Sequence, residues 1–273
     1  MLILTKKCEY ETIFLNGVLC SAEAARIDPR DRGLLLGDGL FETIRIDAGK
    51  PRHILRHYAR LRAGAVLLRL PLPFNEEAFN NALVSTIQAN RLTDGALRLT
   101  LTRGPGPRGI MPAKRQQPTV IVTAATLAPI ATAARVVVAQ NTRRDETSLL
   151  SRIKSLNYLS GILARFEADD RGADDAILLN HLGFVAEASA ANLFLYRQGK
   201  WLTPSVTDGA LPGIRRQILI EAGVVHEARL LPPDLFEANA LCLGNVLGLR
   251  PVSYLDGNLL NWDEDAFRKL QLI

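Results

Sequence analysis

The chain is short of several things that would narrow its function. It has 3 cysteines among 273 residues, Cys8, Cys20 and Cys242, an odd number at spacings that match no metal motif. Reduced thiols and no disulfide framework are therefore expected. Methionine and tryptophan number 2 each, and aromatic residues reach only 6%. No apolar run approaches the roughly 20 residues of a membrane span. The start, Met1 to Lys7, sets a short apolar run before its charges, the reverse of a secretory signal, so a cytoplasmic, membrane-free protein is expected. Excess charge is also scarce. The net +5 is spread along the chain, and the pair Arg143 and Arg144 is followed at once by Asp145 and Glu146. This is not the basic stripe of a nucleic-acid binder, whereas a small anionic ligand would suit the arginines. The histidines His53, His57, His181 and His226 form no ligand cluster, so no metal is expected and each reads as structural or exposed.

What is present is an ordinary globular composition, 48% apolar and 22% charged, in a chain long enough for one large domain or two smaller ones. Thr12–Leu15 and Val18–Cys20 flank Asn16-Gly17, a strong hairpin signal. Phe41–Ile46 alternates like a half-buried strand. Helical spacing puts Ile54, Leu55, Tyr58, Leu61 and Ala65 on one face, with Arg56, Arg60 and Arg62 elsewhere, and a second helix is expected from about Asn75 to Asn90. Strands at 96–102 and 119–123 are joined by a Gly- and Pro-rich loop, 103–118. The small apolar stretch 127–134 reads as a linker between an N-terminal domain, 1–126, and a C-terminal domain, 135–273. Beyond it the pattern predicts a strand at 135–139, a helix at 156–170, strands at 176–180, 184–188, 192–196 and 201–203, and a helix at 214–222. Helices and strands mix without strict alternation, so the expected fold class is α+β.

Three features could carry chemistry. Lys154 has apolar neighbours, and partial burial would favour its neutral, nucleophilic amine; taken alone it also reads as a surface lysine at a helix start. Glu187 ends a strand-like run among small residues, where a carboxylate could hold a ring nitrogen protonated; the plain alternative is an edge glutamate facing water. Leu211-Pro-Gly213 opens a helix at Ile214, and the unpaired N–H groups of such a start suit an anion, although an ordinary turn would look the same.

Their order brings in a resemblance. Ile153-Lys-Ser-Leu-Asn-Tyr-Leu159, Gly172-Ala-Asp-Asp175, Gly183-Phe-Val-Ala-Glu187, Asn192-Leu-Phe194, Leu202-Thr-Pro204, Gly209-Ala-Leu-Pro-Gly-Ile214 and Arg250-Pro-Val252 resemble the fold-type IV enzymes of pyridoxal 5'-phosphate (PLP), the class IV aminotransferases. Asp31-Arg-Gly-Leu-Leu-Leu-Gly-Asp-Gly-Leu-Phe-Glu42 and His57-Tyr-Ala-Arg-Leu61 match as well, so the likeness runs from about Phe14 to Val252. It implies a two-domain α+β enzyme with PLP in the interdomain cleft, and a homodimer. It implies Lys154 as the Schiff-base lysine and proton carrier, Glu187 as partner of the pyridinium nitrogen and Arg60 on the phosphate. Backbone N–H groups of Ile214 and Arg215, after Gly213, would meet the same phosphate, with Leu211 against the ring and Tyr158 near the phenolic oxygen. Asn245 stands where the family often has a small hydroxyl residue and could donate to phosphate.

Within the family, Thr43, the basic Arg98 and Arg108-Gly109 look most like 4-amino-4-deoxychorismate lyases, with Thr43 assisting catalysis and Arg98 and Arg108 binding substrate carboxylates. Ile110 departs from the Tyr usual there, and equally from the His of D-amino-acid aminotransferases. A lyase giving 4-aminobenzoate and pyruvate is the first expectation. A transaminase of D-amino acids or other primary amines is the second, and a scaffold without catalysis is a remote third.

Overall fold

The computed structural model describes residues 12–127 and 133–272, so the centre of the expected linker, 128–132, lies outside the described residues. The chain forms two compact units. The described residues of the N-terminal stretch group with the short segment 153–157, and 133–152 with 158–272 make the C-terminal unit. Segment 153–157, which the sequence places in the second domain, thus packs with the first.

The N-terminal unit opens with β1 (Thr12–Leu15) and β2 (Val18–Ser21), closed by Asn16 and Gly17, both at positive φ, which matches the right-handed twist of a two-residue hairpin. A single helical turn, α1 (Arg32–Leu36), leads through Gly37 in the left-handed region to the long strand β3 (Gly39–Asp47), and β4 (Lys50–Pro51) folds back on its end. Then come α2 (Ile54–Leu67) and α3 (Glu76–Ala89). Asn75 caps α3 through Ala78 N–H, and Glu76 and Glu77 complement its positive end. The unit finishes with β5 (Gly95–Thr102) and β6 (Thr119–Ala125). Its six strands run in the order β2-β1-β6-β5-β3-β4, and every pair is antiparallel.

Strict alternation divides this sheet into two faces. Leu40, Ile44, Ile46, Leu97, Leu99 and Leu101 pack with Leu61 and Ala65 of α2 and Phe79, Leu83 and Ile87 of α3. Phe41, Thr43 and Arg98 belong to the opposite face, Thr43 standing directly across from Arg98. Leu55, expected on the inner face of α2, is exposed, and His57 takes a fully buried place there instead.

The C-terminal unit is built on a second sheet. Its elements are β7 (Ala134–Arg144), α4 (Leu159–Asp170), β8 (Asp175–Asn180), β9 (Val185–Ala188), β10 (Asn192–Arg197) and β11 (Lys200–Pro204). They continue with α5 (Ile214–Glu221), β12 (Val225–Ala228), α6 (Pro232–Phe236), β13 (Ala240–Asn245), β14 (Gly248–Leu255), β15 (Asn258–Leu259) and α7 (Glu264–Gln271). The order is β12-β11-β10-β13-β14-β7-β8-β9, with β15 beside β14. Three pairs are parallel, β7 with β8, β7 with β14 and β11 with β12. Both sheets bear out the α+β class.

Helix α4 carries the β7–β8 crossover. It lies close because its inner face is small: Gly161, Ala164 and Ala168 are buried, and a Cβ on Gly161 would sit 2.8 Å from the Ser189 carbonyl. The helix begins at Leu159, three residues later than expected, because 153–157 is extended. Among the described residues no helix is long and apolar enough to cross a membrane, and no group of three or more His, Cys, Asp or Glu could hold a metal ion.

Candidate active site

The segment 153–157 pairs through an isolated antiparallel bridge with the start of β3. Phe41 N–H donates to the Lys154 carbonyl at 2.9 Å, Leu156 N–H to the Gly39 carbonyl at 3.0 Å, and Leu40 bridges Ser155. Alternation then sorts the side chains. Ile153 joins the hydrophobic core, and the Lys154 side chain takes the other face with Phe41. Its Nζ lies 4.3 Å from the centroid of the Phe41 ring, and the Arg98 guanidinium carbon 3.8 Å from the same centroid. Cationic groups against an aromatic ring are attracted by its quadrupole. The face that carries the amine therefore also carries Thr43 and Arg98, the residues expected to act on substrate.

Arg60 and Glu42 lie on the helix-covered face. The Glu42 carboxylate accepts from Arg60 Nε at 2.8 Å and Arg60 Nη2 at 2.6 Å, while His57 Nδ1 stands 2.6 Å from its Oε2. Burial alone would raise the Glu42 carboxyl, but the Arg60 charge and the hydrogen bonds from His57 and Arg60 overcome it and hold the group at about 2. Burial pushes the His57 imidazolium down, against the pull of Glu42, so His57 stays neutral.

The Asp31 to Glu42 run closes on itself. Asp31 accepts from Gly33 N–H and from the hydroxyls of Thr102 and Thr119. Asp38 takes Arg32 Nε at 2.9 Å and Arg103 Nε at 2.7 Å, and although burial opposes it, these bonds lower its carboxyl from the usual value. Arg32 then reaches the carbonyls of Gly109 and Ile110. Arg108 itself is exposed on that loop, so the loop's anchor is Arg32 and not the Phe41 cluster.

In the C-terminal unit Glu187 is buried near the end of β9. Its Oε1 lies 3.0 Å from Arg144 Nε, on β7, and its Oε2 accepts from Leu211 N–H at 2.9 Å. Arg144 also donates to the Gly209 and Ser151 carbonyls, so the guanidinium ties the carboxylate to the 209–211 turn. Asn192 Nδ2 donates to the Leu211 carbonyl at 2.9 Å. A Cβ on Gly213 would fall 2.0 Å from Asn192 Oδ1, which is why glycine stands there. Gly213 caps α5 without any side-chain hydrogen bond, leaving the first-turn N–H groups of Ile214 and Arg215 to another acceptor. Arg215 is half-buried, and burial lowers its guanidinium from the usual value.

Two further expected residues are placed differently from one another. Tyr158 is half-buried at the start of α4, its ring against Gly161. Asn245 is occupied locally: its Nδ2 donates to the Ala190 carbonyl at 3.2 Å and its Oδ1 accepts from Leu247 N–H at 2.9 Å. It clamps the β13–β14 turn.

Each unit by itself holds groups that fit part of a small phosphorylated heteroaromatic aldehyde. A half-buried primary amine suits the aldehyde, a counter-charged carboxylate the ring nitrogen, and a bare helix start the phosphate. Glu187 and the helix start share one frame, since Leu211 bonds to Glu187 and stands just before the Gly213 cap. Sequence reasoning passed over Arg144, Asn192, Phe41, Glu42 and His57. Phe41, Glu42, His57 and Asn192 lie inside the quoted motifs, and Arg144 left no signal beyond its charge.

The sequence profile of the amino-transferase class IV family matches residues 39–255. A Methanocaldococcus jannaschii protein provisionally named branched-chain-amino-acid aminotransferase is 34% identical over 257 residues, 91% of this chain and 89% of that one. The D-alanine aminotransferase of Listeria monocytogenes is 31% identical over 264 residues, 90% and 88% of the two chains. The crystal structure of 4-amino-4-deoxychorismate lyase from Pseudomonas aeruginosa superposes with a TM-score of 0.81 at 32% identity, covering 95% of this chain and 96% of that one.

Proposed function

The chain belongs to the class IV aminotransferases, a family of PLP-dependent enzymes, and from that premise we propose that it is a 4-amino-4-deoxychorismate lyase, forming 4-aminobenzoate and pyruvate. The observation that carries this reading is the face of β3 and β5 where Thr43 stands opposite Arg98 and the Lys154 amine and the Arg98 guanidinium share the Phe41 ring. A hydroxyl and a cation beside the amine suit a substrate with two carboxylates and a leaving oxygen.

PLP, when bound, supplies an electron sink for bonds at the substrate's amine-bearing carbon. Lys154 holds the cofactor aldehyde and moves the proton at that carbon. Thr43 offers its hydroxyl to the departing oxygen. Arg98 and Arg108 receive the carboxylates. Glu187, counter-charged by Arg144, would accept from the ring nitrogen, Tyr158 would lie by the phenolic oxygen, and Leu211 would pack against the ring. Arg60 and the Gly213, Ile214 and Arg215 backbone receive the phosphate. Asn245, which also bonds to Ala190 and Leu247, would donate to the phosphate through its side-chain amide.

A second reading, transamination, is favoured by the relatives named as aminotransferases, which match over about nine-tenths of either chain. Glutamate and 2-oxoglutarate also carry two carboxylates. One assay separates the two. The PLP-loaded protein should release 4-aminobenzoate from 4-amino-4-deoxychorismate without a 2-oxo acid. Pyruvate formation from D-alanine that depends on 2-oxoglutarate, with no 4-aminobenzoate from the chorismate derivative, would establish the transaminase instead.

A homodimer is part of the proposal. Leu159, Ile162, Leu163 and Phe166 are exposed at helical i, i+3, i+4, i+7 spacing on α4, an apolar stripe that a second copy would cover. Light scattering during size exclusion should give about twice the chain mass.

A further inference from the structure

Glu42 and His57 have no part in the chemistry assigned above, yet they are among the most deeply buried polar groups of the N-terminal unit. Glu42 lies between the core residues Leu40 and Ile44 on the helix-covered face of β3. Stability alone is a poor reason to put a charge there, because apolar residues of similar volume commonly do as well. The geometry is that of a fixture. Both contacts between Glu42 and Arg60 fall at 2.8 Å or less, engaging Nε and Nη2 of the planar fork. The carboxylate is itself fixed, since His57 Nδ1 reaches Oε2 at 2.6 Å from one turn earlier on α2. Among the described residues His57 Nε2 is buried with no hydrogen-bond partner, so the ring's polar contact is directed at Glu42. A neutral ring adds no third charge, and the carboxylate's charge goes to Arg60.

We propose that Glu42 and His57 are positioning residues for Arg60: the imidazole fixes the carboxylate, and the carboxylate fixes the guanidinium fork that receives the cofactor phosphate. This rests on the assignment of Arg60 to the phosphate. An unanchored arginine would lose side-chain freedom on each binding event, and the cluster removes that cost beforehand. The neighbouring residue of β3, Phe41, donates its N–H to the Lys154 carbonyl, so two consecutive residues of one strand orient the amine-bearing segment and the guanidinium.

The test uses the full chain stripped of cofactor and four variants, R60K, E42Q, H57L and H57N. Each is titrated with PLP by absorbance, the bound phosphate is read by phosphorus NMR, and the melting temperature of the cofactor-free protein is recorded. R60K and E42Q should each weaken PLP binding by roughly tenfold or more, with a displaced phosphorus signal. H57L should weaken it by roughly fivefold, and H57N, whose amide can replace the Nδ1 donor, should return to within about twofold of wild type. Should E42Q fail to fold, E42D, with its carboxylate drawn back from Arg60, takes its place. If R60K alone alters affinity and phosphorus signal while E42Q and H57L only lower the melting temperature, the positioning role is wrong and the Arg60 assignment stands. If R60K leaves PLP affinity unchanged, the assignment fails and takes the positioning role with it.

Discussion

The two units each hold a buried glutamate paired with an arginine, and the pairs differ in what they leave reachable. The Glu42 side chain is 1% exposed and is held by His57 and both Nε and Nη2 of Arg60. The Glu187 side chain is 11% exposed and meets Arg144 and one backbone N–H. Glu42 is sealed, and in the proposed arrangement its partner Arg60 meets the phosphate. Glu187 is a braced carboxylate with Arg144 as its counter-charge, and in the proposed function it meets the cofactor directly. Under the proposed function, similar chemistry would serve as scaffold in one unit and as reagent in the other.

The largest effect should come from removing what both glutamates serve. K154A should lower turnover by roughly 10²–10⁴-fold or more, measured in the lyase and transaminase assays alike, because it removes the proposed cofactor anchor and proton carrier. E187Q should lower turnover by roughly 10²–10³-fold, as loss of a preorganised charge does, with a smaller change in denaturant midpoint. E42L should do the reverse in emphasis. It strands the Arg60 charge and should cost about 3–5 kcal/mol in urea unfolding. If E187Q proved the more destabilising, or E42L left stability intact, the contrast between fixture and reagent would fail.

The lesson for sequence reading follows the same division. The hairpin at Asn16-Gly17, the alternation of β3 and β5 and the start of α5 were legible because period and turn chemistry are local. The Glu42–His57–Arg60 cluster was not, since its members meet only when α2 packs on β3. Arg144 is followed in sequence by Asp145 and Glu146, and the reading stopped there; the fold gives it Glu187 across the β7–β8–β9 ladder instead. Beyond residue 222 the sequence reading assigns no helix or strand. The run in β13 is continuously buried, which hides strand periodicity, and the parallel partnership of β11 with β12 depends on an intervening helix. The neighbours of Lys154 are apolar, but an edge pairing with β3, rather than a helix start, is what sets the amine on the Phe41 face.

Acidification sharpens the comparison further. His57 is held below its ordinary 6.5, so the unfolded chain takes up its proton first, and stability should begin to fall as pH drops through about 6.5. Glu42 is held at about 2 against an ordinary 4.5, so its share should be lost as pH falls from 4.5 toward 2. H57N should flatten the first step and leave the second, as read by urea midpoints across pH. The smallest effect belongs to the exposed loop. R108A should leave the melting temperature unchanged and raise KM for a substrate with two carboxylates, with little change in kcat.

The amine at position 154 carries the whole account. Borohydride reduction of the PLP-loaded protein, followed by peptide mapping, tests it most directly. The account predicts a pyridoxyl phosphate adduct on the peptide containing Lys154 and nowhere else. An adduct on another lysine, or none with cofactor bound, would contradict it.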